Sequence, residues 1–451
     1  MTISIIGLGK LGASMTAAIA SRGIKVIGVD VNAESVRLIN EGVAPVIETA
    51  LDELLKSNMD RVRATTSVSE AVAVSDITFI IVPTPSVDDG SFTLQFVRQA
   101  MKQIGAAIQN KSGYHLVCVT STVLPGSCRY SLIPTLEKAS GKRAGADFGV
   151  CYSPEFIALG SVIHDFLNPD FTLIGEHDVH AGDMLETFYR VILPPGTPCK
   201  RMSLESAELA KIALNSYVTT KITFANTLAR ICDRLPHSNV DHITDALGCD
   251  ARIGRKYLSG GLGFSGPCFP RDNRALSFVS NLLGVNAQIA GATDYLNETL
   301  VHELVEKIAN DLPHGSQISI LGLSYKPGTP VVESSQAIQL ANHLHDAGFN
   351  VVAYDPLAYE TAKPHFSQRL MRLENNLSRC LMSADAVLVL NADSVFKQLT
   401  VDDFNTCHYG VIVWDIWRIL PQLASSLRIN YRPWGVNKIA ESSILKETWE
   451  K

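Results

Sequence analysis

The chain has 451 residues, of which 46% are hydrophobic and 19% charged, and its formal net charge is -6. This length exceeds a single compact core, so two to three domains are expected. The lack of a basic run disfavours nucleic-acid and membrane-surface partners, and no apolar run reaches the roughly 20 residues of a membrane-spanning helix. Because the N-terminus also lacks a secretory signal pattern, we expect a cytoplasmic protein.

Nine cysteines are irregularly spaced, and none forms a C-x-x-C pair. An odd, unpatterned set disfavours a disulfide framework and a structural zinc site, so no metal is expected. Most of these cysteines should be small core hydrophobes.

The first part of the chain alternates short apolar runs with helical stretches, which predicts a parallel sheet covered by helices on both faces. The predicted helices are Leu11–Ser21 and Ala33–Glu41. The predicted strands are Ile3–Ile6, Lys25–Val29, Ile77–Val82, His115–Val119 and Phe171–Ile174.

The pattern changes after Pro194-Pro195-Gly196 and returns near Gln317. Between these points we predict helices over 203–246 and 273–309, a glycine-rich loop at 254–266, and a long helix, Ala292–Leu312. The strands predicted after Gln317 are Ile318–Leu321, Val351–Tyr354, Ala386–Leu390 and Val411–Trp414. The fold class is therefore α/β, with two doubly wound parallel-sheet domains, 1–195 and 313–451, joined by an all-helical domain, 196–312.

The segment Gly7-Leu8-Gly9-Lys10-Leu11-Gly12 fits G-x-G-x-x-G between a strand and a helix. A pyrophosphate would bind the N–H groups at that helix end. The second strand ends at Asp30, whose carboxylate would accept hydrogen bonds from the ribose hydroxyls of NAD and repel the 2′-phosphate of NADP. The alternative is a glycine-rich turn in a domain that binds no dinucleotide.

Val82-Pro83-Thr84-Pro85 follows a later strand at its carboxyl end, the edge at which open α/β sheets bind ligands. The alternative is a rigid stop to the strand. Thr120-Ser121-Thr122 and Ser153-Pro154-Glu155-Phe156 also follow strands, and offer either chemistry or capping.

Cys268 ends a glycine-rich loop ahead of a predicted helix, where a thiolate would be stabilised. Asp272 follows four residues later, on the same face if that segment is helical. A thiol beside a carboxylate suits covalent catalysis, and the alternative is an inert loop thiol.

Lys211 and Asn215 lie one helical turn apart in Glu208-Leu209-Ala210-Lys211-Ile212-Ala213-Leu214-Asn215. A cation and an amide directed at one point suit a developing oxyanion. The alternative is a solvated lysine, and Lys221 is as readily structural as functional.

In this order the motifs resemble the UDP-glucose/GDP-mannose dehydrogenase family over nearly the whole chain. The resemblance implies an N-terminal NAD-binding Rossmann domain, a helical dimerisation core and a C-terminal nucleotide-sugar domain. The motifs are GLGKLG (7–12), VPTP (82–85), STV (121–123), SPEF (153–156), ELAKIALN (208–215), GFSGPCFPRD (263–272), GLSYKPGT (322–329) and AYDP (353–356).

The resemblance also implies the reaction, a four-electron oxidation of a sugar C6 alcohol to a carboxylate with two NAD. Cys268 would form a thiohemiacetal and then a thioester, while Lys211 and Asn215 stabilise oxyanions. Asp272 and Thr122 would handle water and protons, and Glu155 would assist thioester hydrolysis.

Two further sets of residues follow from the resemblance. The cofactor would contact Gly7, Leu8, Gly9, Lys10, Leu11, Gly12, Asp30, Thr84, Pro85 and Thr122. The substrate, a UDP- or GDP-hexose, would contact Glu155, Phe156, Lys211, Asn215, Tyr257, Gly263, Lys326 and, from the partner subunit of a homodimer or larger oligomer, Arg252.

Several positions depart from the family pattern. Leu159 stands where many relatives have a second Glu, Lys10 where they have Tyr, and Thr120 and Arg271 where they have Lys. Glu333 replaces a substrate-binding Arg in an ungapped alignment. These changes affect substrate identity more than reaction type.

Phe156 favours a glucose- or mannose-type substrate, since N-acetylhexosamine relatives usually have Arg there. The leading hypothesis is thus a UDP-glucose 6-dehydrogenase-like enzyme, and the alternatives are a GDP-mannose or UDP-N-acetylhexosamine 6-dehydrogenase. A two-electron 3-hydroxyacid-type dehydrogenase would not need Cys268, and a non-catalytic nucleotide-binding regulator would not need the Cys, Lys, Asn and Asp set.

Overall fold

The computed structural model describes residues 1–437 and 442–449. The chain divides into two compact units, Met1–Ala213 with Phe278–Gly284, and Leu214–Ser277 with Val285–Lys451. The boundary at Ala213 falls inside one long helix, Leu204–Cys232. None of the described helices is both long enough and apolar enough to cross a membrane.

The first unit contains an eight-stranded sheet with the order β3-β2-β1-β4-β5-β6-β7-β8. Its strands are β1 Thr2–Ile6, β2 Lys25–Val29, β3 Val62–Thr65, β4 Ile77–Ile80, β5 Leu116–Val119, β6 Gly149–Tyr152, β7 Thr172–Glu176 and β8 Cys199–Ser203. The order reverses direction between β1 and β4, which is the switch point at which such sheets bind ligands.

One predicted strand departs from the expected parallel arrangement, and β8, which was not predicted, runs in the same reversed direction. The run predicted at Phe171–Ile174 forms β7, which pairs antiparallel with β6 and parallel with β8. An apolar run indicates burial on both faces but carries no information on strand direction, so the prediction of an all-parallel sheet was wrong at this strand.

Helices cover this sheet on both faces. They are α1 Lys10–Ser21, α2 Ala33–Asn40, α3 Leu51–Ser57, α4 Val68–Val74, α5 Gln95–Gln109, a π-helical turn Cys128–Leu132 continuing into α6 Ile133–Ser140, α7 Val162–Leu167 and α8 Val179–Ile192. Successive strand residues face opposite cores: Ile3 and Ile5 pack in one apolar cluster, and Ile6 in the other. This two-sided burial explains why the strands are almost uninterrupted apolar runs.

Three helices follow the long helix Leu204–Cys232, which we label α9, in the second unit. They are α10 Val240–Gly248, α11 Phe269–Leu282, whose end lies in the first unit, and α12 Gln288–Asp311. The predicted helical segment at 203–246 is thus interrupted, because Asn239 caps a new helix by accepting a hydrogen bond from the Asp241 N–H. The segment between Gly254 and Gly266 is a loop, as predicted.

The second unit also contains a six-stranded parallel sheet with the order β11-β10-β9-β12-β13-β14. Its strands are β9 Gln317–Leu321, β10 Asn350–Tyr354, β11 Arg372–Glu374, β12 Ala386–Val389, β13 Val411–Asp415 and β14 Ile429–Pro433. Its helices are α13 Gln336–Asp346, α14 Tyr359–Gln368, α15 Leu377–Leu381, α16 Ser394–Lys397 and, beyond β14, α17 Ser443–Trp449, with 3-10 turns at Val401–Phe404 and Pro421–Ser425. The predicted class, two α/β sheet domains with a helical domain between them in the sequence, is confirmed.

Candidate active site

The glycines of the first turn have different physical roles. Gly7 has φ +100°, and a Cβ on it would lie 2.1 Å from the Ile81 carbonyl oxygen. A Cβ on Gly12 would lie 1.8 Å from the Gly7 carbonyl oxygen, so both glycines are required for backbone packing. A Cβ on Gly9 would meet no protein atom within 4 Å, which leaves open space at the start of α1.

That open space lies at a helix end with unsatisfied donors. Gly9 is the N-cap of α1 and provides no side-chain hydrogen bond to the N–H groups of the first turn, which begins with Lys10 and Leu11. Uncapped N–H groups and the positive end of the helix suit a phosphate. Leu8 contributes differently, because its buried side chain packs against Gly28.

Asp30 at the end of β2 keeps acceptor capacity. One carboxylate oxygen accepts the Leu8 N–H at 2.6 Å and the other accepts the Asn32 N–H at 2.8 Å. The carboxylate is thereby oriented, and each oxygen has a further lone pair for a ribose hydroxyl. The residues of this turn therefore fit a dinucleotide.

The second sheet has the same local strand order but not the same donor and acceptor set. Asp355, after β10, is buried and accepts four backbone N–H groups, from Leu323, Ser324, Leu357 and Ala358. Helix α13 starts only at Gln336 and is capped by the Ser335 hydroxyl. Each oxygen of Asp355 already accepts two hydrogen bonds, so no lone pair is left for a ribose hydroxyl. The turn that fits a dinucleotide is therefore the one in the first unit.

In the first unit, the loop at 82–85 and the loop at 120–122 are hydrogen-bonded to each other next to the turn at 7–12. The Ser121 hydroxyl accepts the Val82 N–H and donates to the Val82 carbonyl. Thr84, which is buried, donates its hydroxyl hydrogen to the Thr122 carbonyl at 2.8 Å. Pro85 is exposed. The predicted cofactor residues Thr84 and Thr122 are thus brought together.

Lys211 and the loop after β6 form a second group in the first unit. The Lys211 ammonium donates to the Glu155 carbonyl at 2.7 Å and lies 4.7 Å from the centre of the Phe156 ring. Burial raises the pKa of Glu155 to about 7, although the Lys211 charge acts in the opposite direction. The Tyr189 hydroxyl is 3.5 Å from the Glu155 carboxylate. A carboxyl group of this kind exchanges protons near neutral pH.

Glu208 has a role that we did not predict from the sequence. Its carboxylate is fully buried and accepts the Gly126 N–H at 2.6 Å and the Cys128 N–H at 2.8 Å. Because Glu208 and Lys211 lie three residues apart on α9, this helix is tied to the loop that carries Thr122. A charged residue one helical turn before Lys211 was the available signal.

The predicted nucleophile lies in the second unit. Cys268 is exposed, whereas six of the other cysteines are buried, and α11 begins at the next residue. Asp272, in the first turn of α11, is buried and donates its N–H to the Cys268 carbonyl at 2.9 Å. Its carboxylate accepts hydrogen bonds from Asn215 at 2.6 Å and from Arg271 at 2.9 Å. The structure therefore brings Asn215 and Asp272 together next to the cysteine turn.

Other predicted substrate residues lie in loops of the same unit. Arg252 is 88% exposed and pairs with Asp250, and Tyr257 is exposed with φ +63°. The Lys221 ammonium donates to the carbonyls of Ile253 and Gly254, so Lys221 holds the Arg252 loop.

Two residues predicted to contact substrate already have protein partners. The Lys326 ammonium lies 5.9 Å from the centre of the Tyr325 ring. The Gly263 N–H donates to the Gln336 side chain at 2.7 Å. Within residues 1–437 and 442–449, no cluster of three or more His, Cys, Asp or Glu side chains is arranged to hold a metal.

An open helix N-terminus at the switch point of a mainly parallel sheet, with an acceptor aspartate at the end of the neighbouring strand, defines a dinucleotide-binding α/β domain. Profiles of the UDP-glucose/GDP-mannose dehydrogenase family match the chain in three parts: the NAD binding domain at 1–193, the central domain at 205–299 and the UDP binding domain at 319–422. The chain belongs to this family, and its cofactor is NAD.

Individual relatives agree with this assignment. A UDP-glucose 6-dehydrogenase of Haloferax volcanii is 34% identical over 92% of this chain and 96% of its own length. A GDP-mannose 6-dehydrogenase of Pseudomonas aeruginosa is 35% identical over 88% of this chain and 93% of its own. The structure of a UDP-glucose dehydrogenase from Pyrobaculum islandicum superposes with a TM-score of 0.87, at 30% identity, over 97% of this chain and 98% of that one.

Proposed function

We propose that the protein oxidises C6 of a UDP-activated hexose of the glucose type to the uronic acid, in two successive two-electron steps. The observation that carries the proposal is the exposed Cys268, placed at the start of α11 beside the buried Asn215–Asp272 pair. A single oxidation of an alcohol needs no nucleophile, whereas oxidation of an aldehyde to an acid is made easier by a covalent adduct.

The chain's own residues would act in order. The Cys268 thiolate adds to the C6 aldehyde carbon to give a thiohemiacetal, and loss of hydride from that carbon leaves a thioester. When bound, NAD accepts the hydride of each oxidation. Water then attacks the thioester, the C–S bond breaks, and the carboxylate and the free thiol are formed.

The residues that would act in this scheme have distinct tasks. The Lys211 ammonium, held by the Glu155 carbonyl, and the Asn215 amide stabilise the oxyanions. Glu155, whose pKa is raised to about 7, takes the proton of the attacking water in its ionised form. Asp272 orients Asn215, and Thr122 assists proton transfer.

Phe156 favours a hexose without an N-acetyl group, because N-acetylhexosamine relatives usually have Arg at this position. Its ring lies 5.1 Å from the Phe171 ring and 4.7 Å from the Lys211 ammonium. The UDP-glucose-oxidising relative and the matching UDP binding domain profile support a uridine nucleotide. The GDP-mannose 6-dehydrogenase relative has a similar sequence identity to this chain, so GDP-mannose is the alternative substrate.

The assembly would be a homodimer through the central helices. Tyr217, Phe224 and Ile231 are exposed on α9 at intervals of seven residues, so they form one apolar stripe along the helix. A second copy of the chain would cover this stripe, and the exposed Arg252 would reach the nucleotide sugar of that copy.

A panel of UDP- and GDP-hexoses tests the proposal. We expect UDP-glucose to yield about two NADH per sugar, since two hydrides are removed. Cys268→Ser should lose nearly all acid formation and retain NAD affinity, while Cys249→Ser, a change at another exposed cysteine, should leave acid formation unchanged. One NADH per turnover would indicate the 3-hydroxyacid type, and a fully active Cys268→Ser enzyme would refute the covalent route.

A further inference from the structure

The loop that precedes Cys268 has no regular secondary structure, yet its backbone is held at successive residues. In a loop without helix or strand pairing, the N–H and C=O groups need other partners. Here three side-chain amides supply them, one each from α9, α12 and the start of α13.

Asn226 on α9 holds the first part of the loop. Its carbonyl oxygen accepts the Gly261 N–H at 2.8 Å, and its amide nitrogen donates to the Leu262 carbonyl at 3.3 Å. Because Asn226 is buried, few other hydrogen-bond partners are available to its carboxamide. The side chain acts on this stretch as a neighbouring strand would.

Asn297 and Gln336 hold the next residues. Asn297 accepts the Phe264 N–H at 2.8 Å and donates to the Phe264 carbonyl at 2.9 Å. Gln336, also buried, accepts the Gly263 N–H at 2.7 Å and donates to the Asn297 backbone carbonyl at 2.8 Å. Each amide thus uses both its acceptor and its donor.

The glycines of the loop match these partners. A Cβ on Gly263 would lie 2.2 Å from the Asn297 side-chain oxygen and 2.4 Å from that of Gln336, and a Cβ on Gly261 would lie 2.6 Å from the Trp417 ring. Gly266, with φ +85°, packs against the Tyr325 ring and donates its N–H to the Glu333 carbonyl at 3.1 Å. The loop is therefore held up to two residues before Cys268.

We propose that Asn226, Asn297 and Gln336 are positioning residues that set the place of the Cys268 thiol for the oxidation of the aldehyde. The proposal rests on the covalent role of Cys268 stated above. Gln336 ends the segment 325–336, which also contains Lys326. This segment contacts the loop at Gly263 and Gly266, so this part of the second sheet domain helps to place the thiol.

The test uses Asn297→Asp and Gln336→Glu in the full-length protein. Each change keeps the size and the acceptor oxygen but removes the donor, and places a carboxylate against a carbonyl. We expect oxidation of the nucleotide hexose 6-aldehyde to slow by about tenfold or more, because a shift of about 1 Å in a reacting group can lower the reaction rate by about a hundredfold. Oxidation of the alcohol, measured by trapping the aldehyde, should change much less.

A second readout is independent of activity. The rate at which iodoacetamide alkylates Cys268, measured by peptide mass spectrometry in a Cys249→Ser background, should change in both variants. Asn58→Asp is the matched control, since Asn58 is a buried amide of the first unit that donates to the Leu54 carbonyl. That variant should lower the melting temperature without changing the alkylation rate.

Two outcomes would overturn the positioning role. One is wild-type alkylation and aldehyde oxidation in both folded variants. The other is equal loss of both half-reactions, together with the same fall in melting temperature as Asn58→Asp. Failure of the proposed function would look different, because Cys268→Ser would then remain active while alkylation still responded to Asn297→Asp.

Discussion

Glu155 shows how one partly buried side chain acquires a function from its surroundings. Removal from water raises the pKa of its carboxyl from an ordinary 4.5 to about 7, and the nearby Lys211 charge offsets only part of this effect. Lys211 itself is held by the carbonyl of the same residue and by the Phe156 ring. The pair therefore supplies, at neutral pH, an ammonium in a fixed position and a carboxyl that exchanges its proton.

A pH dependence follows from the raised pKa of Glu155. Only the ionised carboxylate accepts a proton from water, so thioester hydrolysis should rise as pH increases through about 7 and level off above it. Glu155→Gln should remove this rise and let the acyl adduct on Cys268 accumulate, as measured by intact-protein mass spectrometry during turnover. Persistence of the same rise in Glu155→Gln would assign it to another group.

The same shift predicts a stability effect with a defined sign. Since the native pKa lies above the unfolded value, the native state binds the proton more tightly, and this group makes the protein less stable as pH rises from about 4.5 to about 7. Glu155→Gln should therefore gain in melting temperature relative to wild type at pH 8 but not at pH 4.5. The comparison also verifies that the variant folds.

At the scale of elements, helix α9 is the main organising feature. Glu208 and Lys211 engage loops of the first unit, and Asn215 engages Asp272 in the second. Three further positions of the helix, 217, 224 and 231, are exposed, large and apolar. An exposed apolar stripe of this kind suits the contact with a second copy of the chain that we propose above.

The exposed stripe leads to a prediction about assembly. Phe224→Glu places a charge in the middle of the stripe and should convert the proposed dimer to monomers, as sedimentation velocity would measure. The same variant should lose turnover, because Arg252 of one copy would no longer reach the other. Val191→Glu, at an exposed apolar position on α8, is the control and should sediment as wild type. A Phe224→Glu protein that remains dimeric would place the interface elsewhere.

At the scale of the whole molecule, the chain contains two sheets with similar central strand order, β3-β2-β1-β4-β5 and β11-β10-β9-β12-β13. Fold alone does not decide which sheet takes NAD. The turns do so: Asp30 keeps free acceptor capacity and α1 has an open end, whereas Asp355 is fully used and α13 is capped by Ser335.

Hydrogen–deuterium exchange would test whether NAD binds the first sheet and UDP the second. NAD should protect peptides of the first unit around 5–12 and 80–85, and UDP should protect peptides of the second unit around 322–336. The physical reason is that a bound ligand protects the amides it contacts or immobilises. Protection of 322–336 by NAD, with none at 5–12, would contradict the assignment. Gly12→Ala, whose added Cβ would overlap the Gly7 carbonyl, should disrupt the first turn and its protection.

Much of the fold could be predicted from periodicity. The central strands β1, β2, β4, β5, β9, β10, β12 and β13 are predicted within a residue or two, because burial on both faces makes them apolar throughout. The edge strands β3, β8, β11 and β14 are missing from the prediction, and the internal strand β6 is given no bounds in it. Segments such as Cys199–Ser203 and Arg372–Glu374 are partly exposed and carry charges, so no apolar run marks them.

The sequence by itself determined the class of fold, the dinucleotide turn and the candidate chemistry at Cys268, Lys211, Asn215 and Asp272, because these depend on residue type and short spacing. Only the tertiary structure decided the direction of β7, the tie from Glu208 to the loop at 126–128, the raised pKa of Glu155, and the amides that hold the glycine-rich loop. Each of these depends on groups distant in sequence that meet only when the chain is folded. The difference between the turns at Asp30 and Asp355 has the same origin, since the number of N–H groups that reach a carboxylate is a property of the folded backbone.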